Sequence, residues 1–388
     1  MPPPIQMHSR ADFRKFRRVT VKIGSRIICN DQGLAYDRLR ALSGQVDLLR
    51  RRGMEVILVS SGAVAAGRRK LKELPGPLTY RKKQAYAAAG QVALMTGWEK
   101  ALSAHDLQAA QILLTADDLA DRHRFIHAKN TLLTLMEMKA VPVINENDTV
   151  ALDELKFGDN DTLGSLVASL AESDLFVNLT DIDGLYDRDP RDGSQPPLIT
   201  AVERVSPSVL AKAGRREGSP DGTGGMYTKV RAAGRLAERG MPSVIANGLT
   251  RDVLPRLMDG EELGTHFLPA DKPRGARKHW LAFAARPKGR LLVDAGAAMA
   301  LVDQGKSLLP KGVRGFDGLF AAGDAVTIVD SDGGAELGVG LVNYPSPELR
   351  SIMGRRSQEI EGILGFCHSE EVIHRDNLVI FAKPAASA

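Results

Sequence analysis

The chain has 388 residues, 43% of them hydrophobic, and its mean hydropathy is −0.15, so general disorder is excluded and two domains are expected. No apolar run is long enough to span a bilayer, which argues against an integral membrane protein. The net charge of +5 is divided between residues 1–270 and residues 271–388, and neither part is strongly basic. This disfavours a dedicated nucleic-acid binder.

Cysteine content and the N-terminus bear on the cellular compartment. The two cysteines, Cys29 and Cys367, lie in different predicted domains, so neither a disulfide framework nor a cysteine metal site is expected. Residues Met1 to Arg18 are basic but contain no apolar segment, so we predict a frayed N-terminal extension and no secretory signal. These features favour the reducing cytoplasm.

Two early strands end in sequences suited to anions. The first, Val19 to Ile23, carries Lys22 and is followed by Gly24. A buried lysine is costly unless an anion meets it, and phosphate is a natural candidate, although the side chain could also reach the surface. A later strand, Val56 to Val59, ends in the small residues Ser60 to Gly67 at a helix start. This stretch suits either an anion at the backbone or tight packing of the helix against the strand.

A third strand, Val141 to Ile144, ends in an unusually polar stretch. Asn145 to Asp148 follow it directly, and Asp159 to Asp161 lie close behind. In open α/β sheets, ligands bind beyond the carboxyl ends of the strands. We therefore predict a polar-ligand site here; an Asx-rich loop that caps its own backbone is the alternative.

Two further segments complete the predicted site. The strand Leu175 to Leu179 ends at Thr180 and Asp181, and the glycine-rich stretch Gly222 to Lys229 leads into a helix. A glycine-rich turn before a helix, with a lysine in its first turn, can aim backbone N–H groups and a charge at a polyphosphate. A purely structural loop is the alternative.

No metal site is predicted, because the pair His123 and His127 has no third ligand nearby in the sequence.

The order of elements predicts the fold class and the domains. Alternating strands and helices indicate an open, mainly parallel α/β sheet sandwiched by helices, which a strand at Ser243 to Ala246 and a helix at Arg251 to Met258 complete. Short alternating runs with turns indicate a small, mainly β domain after it. The predicted division is an N-terminal extension (1–18), the α/β domain (19–270), a linker (271–285) and the β domain (286–382). Further predicted helices are Tyr36 to Arg52, Tyr80 to Ser103, Arg124 to Lys139, Thr162 to Leu170 and Pro347 to Gly362.

Taken together, the polar segments indicate phosphoryl transfer. Charge spreads over the oxygens of a moving phosphoryl group, and fixed cations such as Lys22 and Lys229 can stabilise it. Asp161 could orient the two lysines and keep them charged. Asp148 and Asn160 suit a cationic amino group on a small acceptor.

The motifs, in their order, resemble the glutamate 5-kinase family of the amino acid kinase superfamily. The matching segments are Val21 to Ser25, Ser60 to Gly67, Val141 to Asp148, Gly158 to Asp161, Thr180 to Asp181 and Gly222 to Lys229. The tail resembles a PUA domain, with matches at Pro310 to Gly312 and His374 to Asp376. The resemblance implies an amino acid kinase fold with a PUA-like C-terminal domain.

The same resemblance implies an activity and partners. It implies ATP-dependent phosphorylation of the γ-carboxylate of L-glutamate to L-glutamyl 5-phosphate, the first step of proline biosynthesis, with Mg²⁺ held largely by ATP and water. Feedback inhibition by proline and assembly into a homo-oligomer, a dimer or a tetramer, are usual in the family. Docking of the next pathway enzyme and RNA binding by the tail are left open.

The resemblance also assigns roles to residues. Lys22, Lys229 and Asp161 would be catalytic, and Ser61, Gly62, Asp148 and Asn160 would bind glutamate. The ATP-binding set would be Lys22, Gly24, Thr180, Asp181, Thr223, Gly224, Gly225, Met226, Tyr227, Thr228 and Lys229. Rival interpretations are a superfamily member that phosphorylates N-acetylglutamate, aspartate, carbamate or a nucleoside monophosphate, and an RNA-binding protein, suggested by the tail.

Overall fold

The computed structural model describes residues 9–71, 75–151, 160–190, 195–214, 225–271, 273 and 275–381. The chain divides into two compact units, one formed by Met1–Leu119 and His123–Pro273, the other by Ala120–Arg122 and Arg274–Ala388. None of the helices in the described part of the chain combines the length and the apolar character that crossing a bilayer requires.

The first unit contains ten strands and ten α-helices within its described residues. The strands are β1 (Arg18–Ile23), β2 (Cys29–Asn30), β3 (Gly33–Leu34), β4 (Glu55–Ser60), β5 (Ala109–Leu114), β6 (Val141–Glu146), β7 (Leu175–Thr180), β8 (Ala201–Val202), β9 (Ser243–Asn247) and β10 (Thr265–Phe267). The helices are α1 (Ser25–Ile28), α2 (Tyr36–Arg51), α3 (Ala63–Lys70), α4 (Tyr80–Ser103), α5 (Ala116–Ala120), α6 (Arg122–Glu137), α7 (Asn160–Leu170), α8 (Pro207–Lys212), α9 (Met226–Glu238) and α10 (Val253–Met258).

Eight of these strands form one sheet in the order β5-β6-β4-β1-β7-β9-β10-β8. Neighbours are parallel except β9 and β10, which run antiparallel. This confirms the predicted mainly parallel α/β sheet. The predicted sheet ended with β9, however, and the structure adds β10 and β8 beyond it. Those strands of two or three residues are too short to produce a recognisable sequence pattern.

The central strands are apolar because helices cover both faces of the sheet. In β1, β4 and β7, all residues are buried except the first of β1 and of β4. Two polar side chains, Lys22 near the carboxyl end of β1 and Asn178 within β7, are nevertheless at most 4% exposed. These two positions lie where the apolar core ends and the candidate active site begins.

Helices α3 and α4 pack with their backbones in direct contact. A Cβ atom on Gly67 would lie 1.7 Å from the carbonyl oxygen of Tyr86, and one on Gly90 would lie 1.8 Å from that of Ala63. No side chain fits at either position. For Gly67, the structure therefore supports packing as the reason for a small residue; its packing partner is another helix.

The prediction of a frayed N-terminus is wrong for residues 9–18. Residues Arg10–Lys15 form a 3₁₀-helix that buries Phe13 completely, and Phe16 is buried beside it. The guanidinium of Arg10 donates hydrogen bonds to four backbone carbonyl groups, those of Thr200, Glu261, Leu263 and Gly264. The basic composition concealed this packing, since Arg10 serves as a buried donor and two phenylalanines supply the apolar contacts.

The second unit is built on a five-stranded sheet, as expected for a mainly β domain. Its order is β12-β11-β13-β14-β15, and only the pair β11 and β13 is parallel. The range 271–285, predicted as a linker, contains a helix that buries Trp280. The elements are α11 (Ala276–Phe283), β11 (Gly289–Val293), α12 (Ala295–Val302), β12 (Val313–Gly318), β13 (Ala325–Asp330), β14 (Glu336–Leu341), α13 (Ser346–Ile352), α14 (Ile360–Leu364) and β15 (Leu378–Ile380).

Candidate active site

The site begins with two polar side chains on neighbouring strands. Lys22 on β1 and Asn178 on β7 are register partners in a parallel pair, so their side chains lie on the same face of the sheet. Helix α7 crosses this face, and a Cβ on its Gly164 would lie 3.3 Å from the Cβ of Lys22. The first turn of α7 is thereby held over the two polar side chains.

Asp161, in the first turn of α7, is fully buried between two lysines. Its Oδ1 accepts hydrogen bonds from Nζ of Lys22 at 2.5 Å and from Nδ2 of Asn178 at 3.0 Å. Its Oδ2 accepts from Nζ of Lys229 at 2.9 Å and lies 2.8 Å from Oγ1 of Thr228, which donates to it. We call Lys22, Asp161 and Lys229 the lysine–aspartate triad.

The triad carries one more positive than negative charge in a buried place. Burial alone would raise the pKa of Asp161, but the adjacent ammonium groups of Lys22 and Lys229 outweigh it and hold this pKa well below its ordinary value. Asp161 is therefore ionised at neutral pH. The excess cation is suited to an anionic ligand, because an unbalanced buried charge is costly.

Helix α9 presents a second feature suited to anions. It starts after Gly225, an N-cap residue that has no side chain with which to cap the first N–H groups. Its 13 residues give it a substantial dipole, and the first N–H groups lack helical partners. Met226 and Tyr227 pack their side chains against an apolar cluster, so their backbone is the part available to a ligand. The predicted residues Thr223 and Gly224 lie outside the described residues.

The remaining residues predicted to bind ATP lie at the carboxyl ends of β1 and β7. The N–H of Gly24 donates to the carbonyl of Leu179 at 3.0 Å, which joins the two strand ends. Asp181 accepts a hydrogen bond from the guanidinium of Arg26 at 2.8 Å and lies beside the hydroxyl of Thr180. Burial would raise the pKa of Asp181, but these hydrogen bonds and the charge of Arg26 lower it overall.

On the other side of Asp161, four polar side chains form a chain of hydrogen bonds. Nδ2 of Asn160 donates to Oγ of Ser61 at 2.8 Å and to Oδ1 of Asn145 at 3.1 Å. Nδ2 of Asn145 donates to Oε1 of Gln91 at 2.9 Å. We call Ser61, Asn160, Asn145 and Gln91 the amide chain. It is uncharged and suits a zwitterionic ligand.

Two further predicted residues lie near the amide chain. Gly62 has a φ of +110°, a backbone conformation that residues with a side chain rarely adopt. A Cβ there would lie 3.1 Å from Sγ of Cys29. Asp148 lies half-buried in the turn that follows β6, three residues beyond Asn145. Residues 152–159, which include Gly158 and Asp159 of the segments matched to the family, lie outside the described residues.

Sequence reasoning missed Asn178 and Gln91 as parts of the site. Asn178 could have been found by the reasoning that identified Lys22, because it is a polar residue inside an apolar buried strand. Gln91 gives no such signal, since a glutamine in an alanine-rich helix fits a solvated face equally well. Only the packing of α4 brings it to Asn145.

Known proteins resemble the chain along nearly its whole length. Residues 17–247 match the model of the amino acid kinase family, and residues 289–364 match that of the PUA domain. The chain is 48% identical to a glutamate 5-kinase of Trichlorobacter lovleyi, over 96% of this chain and 98% of the relative. It is also 48% identical to a glutamate 5-kinase of Syntrophotalea carbinolica, over 94% and 97%. The similarity therefore extends over both units.

Proposed function

The chain belongs to the glutamate 5-kinase family, and we propose that it transfers the γ-phosphoryl group of ATP to the γ-carboxylate of L-glutamate. The supporting observation is that the side chains of the consecutive residues Asn160 and Asp161 point to different sides and have different hydrogen-bond partners. Asp161 contacts the two ammonium groups of the triad, whereas Asn160 belongs to the amide chain. The lysine–aspartate triad, which is suited to phosphate, and the amide chain, which is suited to an amino acid, are thus adjacent at the first turn of α7.

The reaction needs no general base, because the side-chain carboxylate of glutamate is already an anionic nucleophile. One of its oxygens forms a bond to the γ-phosphorus, the bond from that phosphorus to the β,γ-bridging oxygen breaks, and ADP leaves. The transferring group carries its charge on three equatorial oxygens, which Lys22 and Lys229 stabilise electrostatically. Asp161 keeps both lysines in place before the reaction starts.

ATP would lie along the strand ends and the start of α9. Gly24, Thr180 and Asp181 would hold the nucleotide together with the segment Thr223 to Lys229, whose described part is the start of α9. Magnesium, when bound with ATP, would offset phosphate charge. Both oxygens of Asp161 already accept hydrogen bonds from lysines, which fits an ion held by phosphate oxygens and water.

Glutamate would bind at the other side of Asp161. Ser61, Gly62, Asp148 and Asn160 would contact it, with the carboxylate of Asp148 and the amide oxygen of Asn160 facing its α-ammonium group. Donors and acceptors of this kind fix the orientation of a small polar substrate, so its γ-carboxylate can be aimed at the triad.

Family membership supports several further parts of the proposal. The product would be the first intermediate of proline biosynthesis, and proline would inhibit the enzyme at or near the glutamate site. The chain would act as a homo-oligomer. Docking of the next pathway enzyme is a further candidate interaction of the same assembly.

A hydroxylamine trapping assay tests the activity. Incubated with ATP, magnesium and hydroxylamine, the protein is expected to form γ-glutamyl hydroxamate only when L-glutamate is present. N-acetylglutamate, carbamate and UMP lack the α-ammonium group and, monitored by ADP release, are expected to give at most about 1% of that rate, since loss of a buried hydrogen-bonded charge costs roughly 3 kcal/mol. Aspartate keeps this group but is one methylene shorter, a difference that lowers the rate at least about tenfold. Turnover of another acceptor without glutamate-dependent product would replace this proposal with a different kinase.

The variant Asn160→Ala tests the acceptor site. It removes an acceptor proposed to face the α-ammonium group, and a hydrogen bond to a charged group contributes about 1.5–3 kcal/mol. We expect the KM for glutamate to rise roughly tenfold to a hundredfold while the KM for ATP changes little. Asn30→Ala, an exposed asparagine in the β2–β3 hairpin, is the matched control. An unchanged KM for glutamate would remove Asn160 from the site.

A further inference from the structure

The amide chain has a direction. Asn160 and Asn145 each use Nδ2 as the donor toward Gln91, so that Asn145 offers its oxygen to Asn160 and its nitrogen to Gln91. The chain ends on Oε1 of Gln91, which acts as an acceptor. Ser61 does not set this direction, because a hydroxyl group can donate or accept.

Two buried polar atoms of the amide chain have no partner in the part of the protein that the structure describes. Among the described residues, neither Oδ1 of Asn160 nor Nε2 of Gln91 has a hydrogen-bond partner. A buried unpaired acceptor is costly unless a ligand donates to it. Because Nδ2 of Asn160 is the donor within the amide chain, the atom of this amide that remains for a ligand is the oxygen Oδ1. The opposite direction would leave an N–H group there, which would repel an ammonium group.

The backbone around Gln91 is held unusually firmly. Its neighbour Gly90 contacts the carbonyl of Ala63 so closely that a Cβ would lie 1.8 Å from that oxygen. Ala63 begins α3, two residues after Ser61. Both ends of the amide chain are therefore attached to the same pair of packed helices, which fixes their separation.

From these observations we infer that Gln91 is a positioning residue for the acceptor: it holds the amide of Asn145, and through it that of Asn160, with an oxygen turned toward the α-ammonium group of the substrate. This inference rests on the proposed function. Gln91 acts through Asn145 and Asn160 and is not itself assigned a contact with glutamate. The substrate class that it selects is one with a free, protonated amino group.

Two substitutions separate this role from a general role in packing. Gln91→Met keeps nearly the same length and volume but removes the acceptor for Asn145. Gln91→Glu keeps an acceptor at that position and removes the amide donor, so the direction of the chain is preserved. We expect the KM for glutamate to rise about fivefold to tenfold in Gln91→Met, because one hydrogen bond that positions the acceptor is lost, and to stay within about threefold of wild type in Gln91→Glu.

The readouts are the KM for glutamate, the KM for ATP and kcat, each measured on folded protein in the hydroxamate assay. The KM for ATP is expected to stay unchanged in both variants, and Gln111→Met, at an exposed strand position, serves as the control. An unchanged KM for glutamate in Gln91→Met overturns the inference, as does an equal loss in Gln91→Glu. A wild-type protein without glutamate-dependent product would instead overturn the proposed function itself.

Discussion

Replacing Asp161 by asparagine is expected to lower kcat at least a hundredfold and to reduce the free energy of unfolding by roughly 3–5 kcal/mol. The asparagine has nearly the same shape but no charge. It therefore removes the carboxylate that lies between Lys22 and Lys229, both of which are almost fully buried. Removal of one member of a buried ion pair costs more than the pair itself contributes, because the remaining charge is desolvated and uncompensated.

The same variant should respond differently to acid. The pKa of Asp161 is lower in the folded protein than its ordinary value near 4, so its stabilising contribution is complete above about pH 4 and is lost as the pH falls further. The wild-type protein should lose this contribution below about pH 4. Asp161→Asn, which has already lost it, should show a smaller acid dependence of its unfolding free energy there.

The matched control is Asp187→Asn, which removes an aspartate paired with Lys212 at the surface. Exposed ion pairs contribute little, so its unfolding midpoint and its kcat should match those of wild type. Urea unfolding and steady-state kinetics on all three proteins give the comparison. If Asp161→Asn retained the turnover of wild type, Asp161 would not organise the reaction.

The second large effect is expected at Gly90. The variant Gly90→Ala places a Cβ 1.8 Å from the carbonyl oxygen of Ala63 and 2.5 Å from the N atom of Gly67, both of them backbone atoms that cannot rotate away. Helix α3 and helix α4 must separate, and such overpacking costs about 3 kcal/mol or more. The higher helix propensity of alanine, worth about 1 kcal/mol, does not compensate. We expect a markedly lower unfolding midpoint in urea.

The variant Gly97→Ala, two turns further along α4, is the control for this prediction. A Cβ there would lie 2.9 Å from Cδ1 of Leu39, the end of a side chain that can move. Its unfolding free energy should therefore change by less than about 1 kcal/mol, because the gain in helix propensity offsets the small clash. Equal stability of Gly90→Ala and Gly97→Ala would show that the backbone contact does not limit the packing of α3 on α4.

Much of the site could be predicted because its residues violate local patterns. Lys22 is a charged residue in an apolar strand, and the polar residues from Asn145 onward end a β-branched run abruptly. Such violations need a physical explanation, and a ligand supplies one. The orienting role predicted for Asp161 fits its hydrogen bonds to both lysines. Its function in catalysis remains a prediction for the kinetic tests above.

Other features could not be predicted because no local pattern carries them. The burial of Arg10 depends on carbonyl groups about 190 to 254 positions away in the chain. Strands β8 and β10 are too short to show periodicity. Gln91 looks like any polar residue on a helix until α4 is placed against α3 and β6.

The type of sheet, the sequence of its main elements along the chain and the residues predicted to bind phosphate could be read from the sequence, because apolar period and residue chemistry are local properties. Which of those residues meet depends on tertiary packing. Register on parallel strands brings Lys22 beside Asn178, the first turn of α7 directs Asp161 and Asn160 to different neighbours, and two glycines let α3 and α4 approach until Gln91 reaches Asn145. Each contact joins residues that are distant in the chain, so their geometry is set by packing.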